Sequence, residues 1–268
     1  MADLFTIDNG AETPVDRPLP DRLRPQSLDE IVGQDHLVGT GAPIRKMIDS
    51  GRLASMILWG PPGCGKTTLA RILSSNTDLH FEQLSAIFSG VQDLREVFEA
   101  ARIRKKNGLG TLLFVDEIHR FNKSQQDAFL PVVEDGTIVL IGATTENPSF
   151  ELNAALLSRT QVLVLKRLDD KSLETLIGRA EEDAGRKLPV DEQARAALKA
   201  MADGDGRYVL SMAEQILSQG VTLDTEALLK IVQRRAPLYD KGDDAHFNLI
   251  SALHTSVRGS DADAALYW

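Results

Sequence analysis

The stretch Gly60-Pro61-Pro62-Gly63-Cys64-Gly65-Lys66-Thr67 fits the pattern G-x-x-x-x-G-K-[ST]. It is also flanked by the elements that pattern requires. The apolar run Met56-Ile57-Leu58-Trp59 precedes it, and Thr68-Leu69-Ala70-Arg71-Ile72-Leu73, helical in character, comes directly after it. In a strand–loop–helix of this kind the glycines let successive backbone N–H groups and the helix N-terminus face a chain of phosphates. Lys66 then reaches the outer phosphate oxygens and the Thr67 hydroxyl offers a ligand to Mg²⁺, so residues Gly60 to Thr68 predict a site for ATP with Mg²⁺. Two more short, almost wholly apolar runs, Thr111 to Val115 and Ile138 to Ile141, read as central parallel strands covered on both faces by helices. The expected class is α/β, a parallel sheet flanked by helices.

The first of these two runs ends in Asp116-Glu117, which places two carboxylates at the C-terminal edge of a strand, where parallel sheets bind their ligands. Asp116 is expected to act through the Mg²⁺ shell, and Glu117 to orient and deprotonate an attacking water.

Composition narrows the setting. With 268 residues and 43% hydrophobic content the chain can bury a core without staples. No apolar run approaches the roughly 18 residues of a spanning helix, and Met1 to Glu12 lacks the basic start and apolar stretch of a signal peptide, so a cytoplasmic protein without membrane contact is expected. One cysteine and five scattered histidines exclude an internal disulfide and give no zinc-ligand spacing. A net charge of -9 argues against non-specific coating of nucleic acid, so any DNA contact must be focal.

Residues 1–19 are polar and too poor in large apolar side chains to offset their ordering entropy, which predicts a disordered tail. Residues 20–167 read as the nucleotide-binding core. After Arg159 the strands are expected to stop, and three sets of apolar residues repeat at helical spacing: Leu173, Leu176, Ile177, Ala180; Ala194, Ala197, Leu198, Met201; and Val209, Met212, Ala213, Ile216, Leu217. Gly185, Pro189, Gly204 and Gly220 punctuate them, so residues 168–236 predict a small all-helical lid packed on the core, with an orientation free to change. His246 to Val257 reads as a further helix, and the aromatic end Leu266-Tyr267-Trp268 still requires burial. Residues 237–268 are therefore expected to begin a C-terminal helical part cut short, or to present a partner surface.

Taken together, the loop Gly60 to Thr67, Asp116-Glu117, Gly142-Ala143-Thr144-Thr145, Leu157-Ser158-Arg159 and Gly204-Asp205-Gly206-Arg207 resemble the AAA+ ATPases of the clamp-loader branch. More narrowly, Gly90 to Glu96, Asp116-Glu117-Ile118-His119-Arg120-Phe121-Asn122-Lys123 and Thr144 to Phe150 resemble the replication-associated recombination protein A family, relatives of the Werner-helicase-interacting ATPase, over a span from about residue 20 to the last. The resemblance implies a DNA-dependent ATPase of stalled replication forks, nucleoid-associated and working as a homo-oligomer through C-terminal helices. It implies that Thr145 is the sensor between the strand ends, Arg159 an arginine finger toward a neighbouring subunit, and Arg207 the second sensor. It also implies that Arg24 and Val32-Gly33-Gln34 lie around the base and ribose. A clamp-loader or Holliday-junction branch-migration subunit, and an adaptor that binds ATP with little turnover, remain alternatives.

Two departures from that pattern matter. Ser85 stands where related ATPases carry an asparagine that can hold the catalytic glutamate off its water, and Cys64 replaces the commoner threonine, reading as a small neutral filler whose thiol would leave the loop open to alkylation. Arg102, Arg104, Lys105 and Lys106 crowd one helix end, and Arg120 and Lys123 come shortly after the acidic pair; both sets are candidates for phosphate contact, the first being equally suited to the helix dipole. Asp3-Leu4-Phe5 resembles a peptide that docks on the bacterial sliding clamp, with Leu4 and Phe5 as anchors.

Overall fold

Five parallel strands form one sheet in the order β2-β3-β4-β1-β5. They are β1 (Met56–Trp59), β2 (His80–Ser85), β3 (Thr111–Asp116), β4 (Ile138–Thr144) and β5 (Gln161–Val164). The computed structural model describes residues 17–219 and 223–228, which fall within a single compact unit ending at Leu228. Leu4 and Phe5, the expected helix His246 to Val257 and the rest of residues 237–268 lie outside the described residues.

The first four helices, α1 (Leu19–Arg22), α2 (Asp35–Val38), α3 (Pro43–Asp49) and α4 (Lys66–Ser75), precede β2, and α5 (Val91–Lys106) joins β2 to β3. Short helices stand on either side of β4 in the chain: α6 (Lys123–Asp127) and α7 (Phe129–Glu134) before it, α8 (Pro148–Glu151) and α9 (Ala154–Leu157) after it. Beyond β5 come α10 (Asp170–Ala184), α11 (Glu192–Ala202) and α12 (Gly206–Gln219).

Strand side chains alternate between two cores. Met56, Leu58, Leu112, Phe114, Ile141 and Ala143 pack with Ile44 of α3 and Leu69, Ile72 and Leu73 of α4. Ile57, Leu113, Val115, Ile138 and Leu140 pack with Leu94 and Phe98 of α5, Phe129 and Val132 of α7, and Leu156 of α9. Burial on both faces is why the central strands read as unbroken apolar runs, each large side chain contributing about 1.5–3 kcal/mol.

The two edge strands do not show in the sequence pattern. β5 begins two residues after Arg159, which corrects the expectation that strands stop there. It pairs on one side only, with β1, and Val162 and Val164 stay partly exposed. At the other edge β2 carries His80, Glu82 and Gln83, and none of its residues is fully buried, so its pattern never resembles that of a central strand.

The predicted helical faces are present. Leu173, Leu176, Ile177 and Ala180 of α10 are buried, as are Val209, Met212, Ala213, Ile216 and Leu217 of α12; on α11 Ala194 and Leu198 are buried while Ala197 and Met201 are partly so. Asp169 caps α10 by accepting from the Ser172 N–H at 2.8 Å, and Gly185 ends it in the left-handed conformation. Leu19, assigned to the tail by its polar surroundings, is instead buried: it opens α1, its N–H donates to Glu214 Oε1 of α12 at 2.9 Å, and α1 packs on α12.

Candidate nucleotide site

The loop from Gly60 to Gly65 leaves the end of β1 and feeds directly into α4, with Lys66 as the first helical residue. Gly65 (φ 104°) and Gly63 (φ 66°) take left-handed conformations. At Gly63 there is a second reason for glycine: a Cβ there would sit 1.8 Å from Asp205 Oδ1, and the Gly206 N–H donates to the Gly63 carbonyl oxygen at 3.2 Å. The start of α12 is thus seated on the loop. The Lys66 ammonium is buried and donates to the carbonyl oxygens of Gly60 at 2.6 Å and Pro61 at 2.8 Å. Burial pulls its pKa below the usual lysine value, although Cys64, Glu117 and Asp116 act in the opposite sense. Cys64 does not bear out the expectation of alkylation, because it is 3% exposed and burial pushes its thiol pKa up.

The sheet order places β4 between β1 and β3, so the segment after β4 lies between the phosphate loop and the acidic pair. Thr145 therefore comes close to Glu117, its Oγ1 3.5 Å from Glu117 Oε2. Glu117 itself has a left-handed backbone (φ 53°, ψ 46°), a conformation that costs a non-glycine residue about 1 kcal/mol and that turns the chain directly after the strand. His119, to which the sequence assigns no role, packs against it. Its Nδ1 is 3.2 Å from Glu117 Oε2 and 2.9 Å from Thr144 Oγ1, and its Nε2 is 3.3 Å from Glu146 Oε1. The only sequence signal is a histidine two residues past the glutamate, at a position the turn carries inward. Ser85 pairs with Asp116 across the β2–β3 ladder, while the side chain of Glu117 meets Thr145 and His119.

A cavity of about 540 Å³ opens over these groups, a size suited to a small ligand. Gly63, Cys64, Gly65, Lys66, Thr67, Thr68, Asp116, Glu117, Thr145 and Pro62 wall it together with Arg24, Val32 and Arg207. Arg207 is exposed in the first turn of α12, and Arg24 pairs with Asp21, holding that carboxyl below its ordinary value. The Thr67 hydroxyl and the Asp116 carboxylate bring hard oxygen donors to the same cavity as Lys66, a set that fits Mg²⁺ shared with phosphate and water.

Several expected members do not reach the cavity. Gly60 and Pro61 serve it indirectly, through the carbonyls that hold Lys66. Gly33 and Gln34, expected near the base and ribose, are absent from its walls. Gln34 is buried and grips the backbone at Lys166 with both ends of its amide, donating to the Lys166 carbonyl at 2.8 Å and accepting from the Lys166 N–H at 3.0 Å. Gly33 faces Leu168 and Ser172 with no room for a Cβ. These two residues fasten the entry to the lid. Arg159 also stands outside the cavity, paired with Glu134 of α7 and donating to the Ala155 carbonyl at 2.8 Å.

The basic helix end is largely paired. Arg102 meets Glu99, Arg104 meets Glu82, and Lys105 donates to the Asp135 carbonyl, so its charge is mostly taken up within the fold.

Residues 56–168 match the family described as ATPase family associated with various cellular activities (AAA), and residues 183–258 match the AAA C-terminal domain. The chain is 47% identical over 264 residues to replication-associated recombination protein A of Escherichia coli K12, covering 94% of this chain and 59% of that protein. It is 45% identical over 277 residues to the ATPase WRNIP1 of Dictyostelium discoideum, covering 94% of this chain and 32% of the relative. Among solved structures, the RuvB Holliday junction branch migration motor of Thermotoga maritima superposes with a TM-score of 0.63 at 25% identity, over 88% of this chain and 79% of that one. The chain thus spans about three fifths of the length of its bacterial relative.

Proposed function

The chain belongs to the AAA ATPases, in the family of replication-associated recombination protein A, and on that ground we propose that it hydrolyses ATP to ADP and phosphate in the service of DNA transactions at replication forks. The observation that carries this reading is the convergence, on one cavity, of Lys66, Thr67, Asp116, Glu117, Thr145 and Arg207 from separate elements. An adaptor that merely binds ATP with Mg²⁺ would use Asp116 but would have no use for Glu117 beside it.

The residues divide the work. The loop N–H groups and Lys66 hold the β- and γ-phosphates; Thr67 and Asp116 hold Mg²⁺, which when bound neutralises charge on the phosphates. Glu117 accepts the proton of the attacking water, and Thr145 positions that water or the γ-phosphate. Arg207, on α12, touches the same phosphates and so reports their state to the helical lid, residues 168–236, against the core of 20–167. Arg159 reaches the nucleotide of a neighbouring subunit, which makes the active form a homo-oligomer. The relatives' names support a partner in DNA, and the likeness to the branch-migration motor favours a forked or branched structure as the second reading of what is remodelled. In this reading the protein is cytoplasmic and works at the nucleoid, with Leu4 and Phe5 as a contact to the sliding clamp that a pull-down with and without residues 1–5 tests.

The deciding experiment is steady-state ATP hydrolysis alone and with single-stranded, duplex and forked DNA. Turnover stimulated by DNA, most by the fork, is expected. Tight ATP binding with no turnover on any DNA would replace the motor by the adaptor.

A further inference from the structure

We propose that His119 is the positioning residue for Glu117, tethering the water-activating carboxylate to the loop after β4, a task for which this chain does not use Ser85. The proposal rests on Glu117 being the base assigned above.

The geometry of the histidine carries it. Its side chain is 3% exposed, wedged between the acidic turn and the segment Thr144 to Glu146. Nδ1 lies 3.2 Å from Glu117 Oε2, and an ionised carboxylate only accepts, so a favourable contact requires the proton on Nδ1. The neighbour at 2.9 Å, Thr144 Oγ1, is compatible with that tautomer: it accepts from the Glu146 N–H at 3.0 Å and has an acceptor for its own proton in the Glu146 carbonyl at 3.2 Å. The other nitrogen, Nε2, is buried without a hydrogen bond and lies 3.3 Å from Glu146 Oε1. With the proton on Nδ1 the ring donates toward Glu117, and through the same nitrogen it is seated against Thr144 at the end of β4, where the sensor loop begins. A movement of that loop is thereby passed to the base.

The alternative tether is poorly placed. Ser85 is fixed by the ladder opposite Asp116 and its carbonyl accepts from the Ser89 N–H, while the carboxylate of Glu117 has its close contacts with His119 and Thr145.

Two measurements on the full chain test this. In the first, kcat and KM for ATP are compared for the parent, His119→Leu, His119→Asn, Glu117→Gln and the double variant His119→Leu/Glu117→Gln. His119→Leu is expected to lower kcat about tenfold or more with KM within about twofold, because it displaces a group that acts in the transition state and leaves binding intact. His119→Asn, whose amide can occupy the Nδ1 position, is expected to recover part of the loss, and in the Glu117→Gln background His119→Leu is expected to add little. Parental kcat in His119→Leu beside a crippled Glu117→Gln overturns the tether alone; parental kcat in Glu117→Gln overturns the base and the tether together. The second measurement needs no turnover: long-range ¹H–¹⁵N spectra of the five histidines report the tautomer of each. An Nδ1-protonated His119 whose Nδ1 resonance moves in Glu117→Gln is expected. An Nε2-protonated ring indifferent to Glu117 overturns the proposal.

Discussion

At the level of single residues, the proposed assignments separate holding phosphate from breaking it. Lys66 is buried against two carbonyls and is the cation nearest the loop, so Lys66→Ala is expected to abolish ATP binding or nearly so. Glu117→Gln is expected to bind ATP with Mg²⁺ yet turn over at least about a hundredfold more slowly, the size of a lost general base. Equilibrium binding of a fluorescent ATP analogue and single-turnover hydrolysis check the pair, and parental turnover in Glu117→Gln would remove its assignment. Gly63 makes a different kind of prediction. Gly63→Ala meets the left-handed φ, which costs about 1 kcal/mol, and also displaces Asp205, whose Oδ1 accepts from the Tyr208 N–H at 2.9 Å as the cap of α12. The expected total of about 2 kcal/mol lowers Tm by about 4–8 °C in a chain of this size. Because the side-chain clash is shared, the loss is expected to shrink in an Asp205→Ala background; strictly additive Tm changes would show that Asp205 does not press on the loop.

At the level of elements, the lid is held by charge as well as by its apolar faces. Glu181 of α10 is 5% exposed, and burial alone would raise its pKa; the Arg195 guanidinium of α11 at 2.6 Å, the Leu188 N–H at 3.0 Å and Lys187 at 3.1 Å outweigh this and hold it at about 2. Lys187 is largely exposed and counts for little. A folded pKa below the ordinary 4.5 means that the unfolded chain takes up the proton first. The stabilisation is thus complete above about 4.5 and is lost as pH falls toward 2. Glu181→Gln is expected to cost about 2 kcal/mol at pH 7, since it leaves Arg195 with Glu174 alone. Urea midpoints of parent and variant are expected to converge as pH drops from 4.5 to 2; a gap that stayed constant with pH would mean that the pair contributes only packing. The edge strands belong here too. Their sequences fail to announce them because an edge strand pairs once and buries less, and the unbroken apolar run of a central strand is a consequence of double coverage.

For the molecule as a whole, the proposed arginine finger Arg159 is what would require a neighbour. It extends from the turn after α9 to Glu134, on a side of the sheet where it contributes nothing to the cavity of its own chain. Arg159→Ala is therefore expected to bind ATP normally and hydrolyse it about 10³-fold or more slowly, while a mixture with Lys66→Ala regains activity wherever an intact loop meets an intact finger. The mixing is done in a chain that carries the full length of its relatives. Mixed oligomers confirmed by sizing yet inactive at every ratio would end the role in trans.

The phosphate loop, the acidic pair, the three central strands and the buried faces of α10 and α12 are legible in the amino-acid order without any fold in hand. Each is written in residues within a few positions of one another, where backbone sterics and burial periodicity act. Arg24, Val32, Thr145 and Arg207 are named by resemblance, and the folded chain brings all four to the cavity. Everything that depends on strand order had to wait for the three-dimensional arrangement. It moves Gly33 and Gln34 from the nucleotide to the entry of the lid, seats Asp205 on Gly63, buries Cys64 and pairs most of the basic end of α5. It also sets His119 against Glu117, because the turn after β3 and the loop after β4 become neighbours only when β4 inserts between β3 and β1, and no local pattern records which strands a sheet will place side by side.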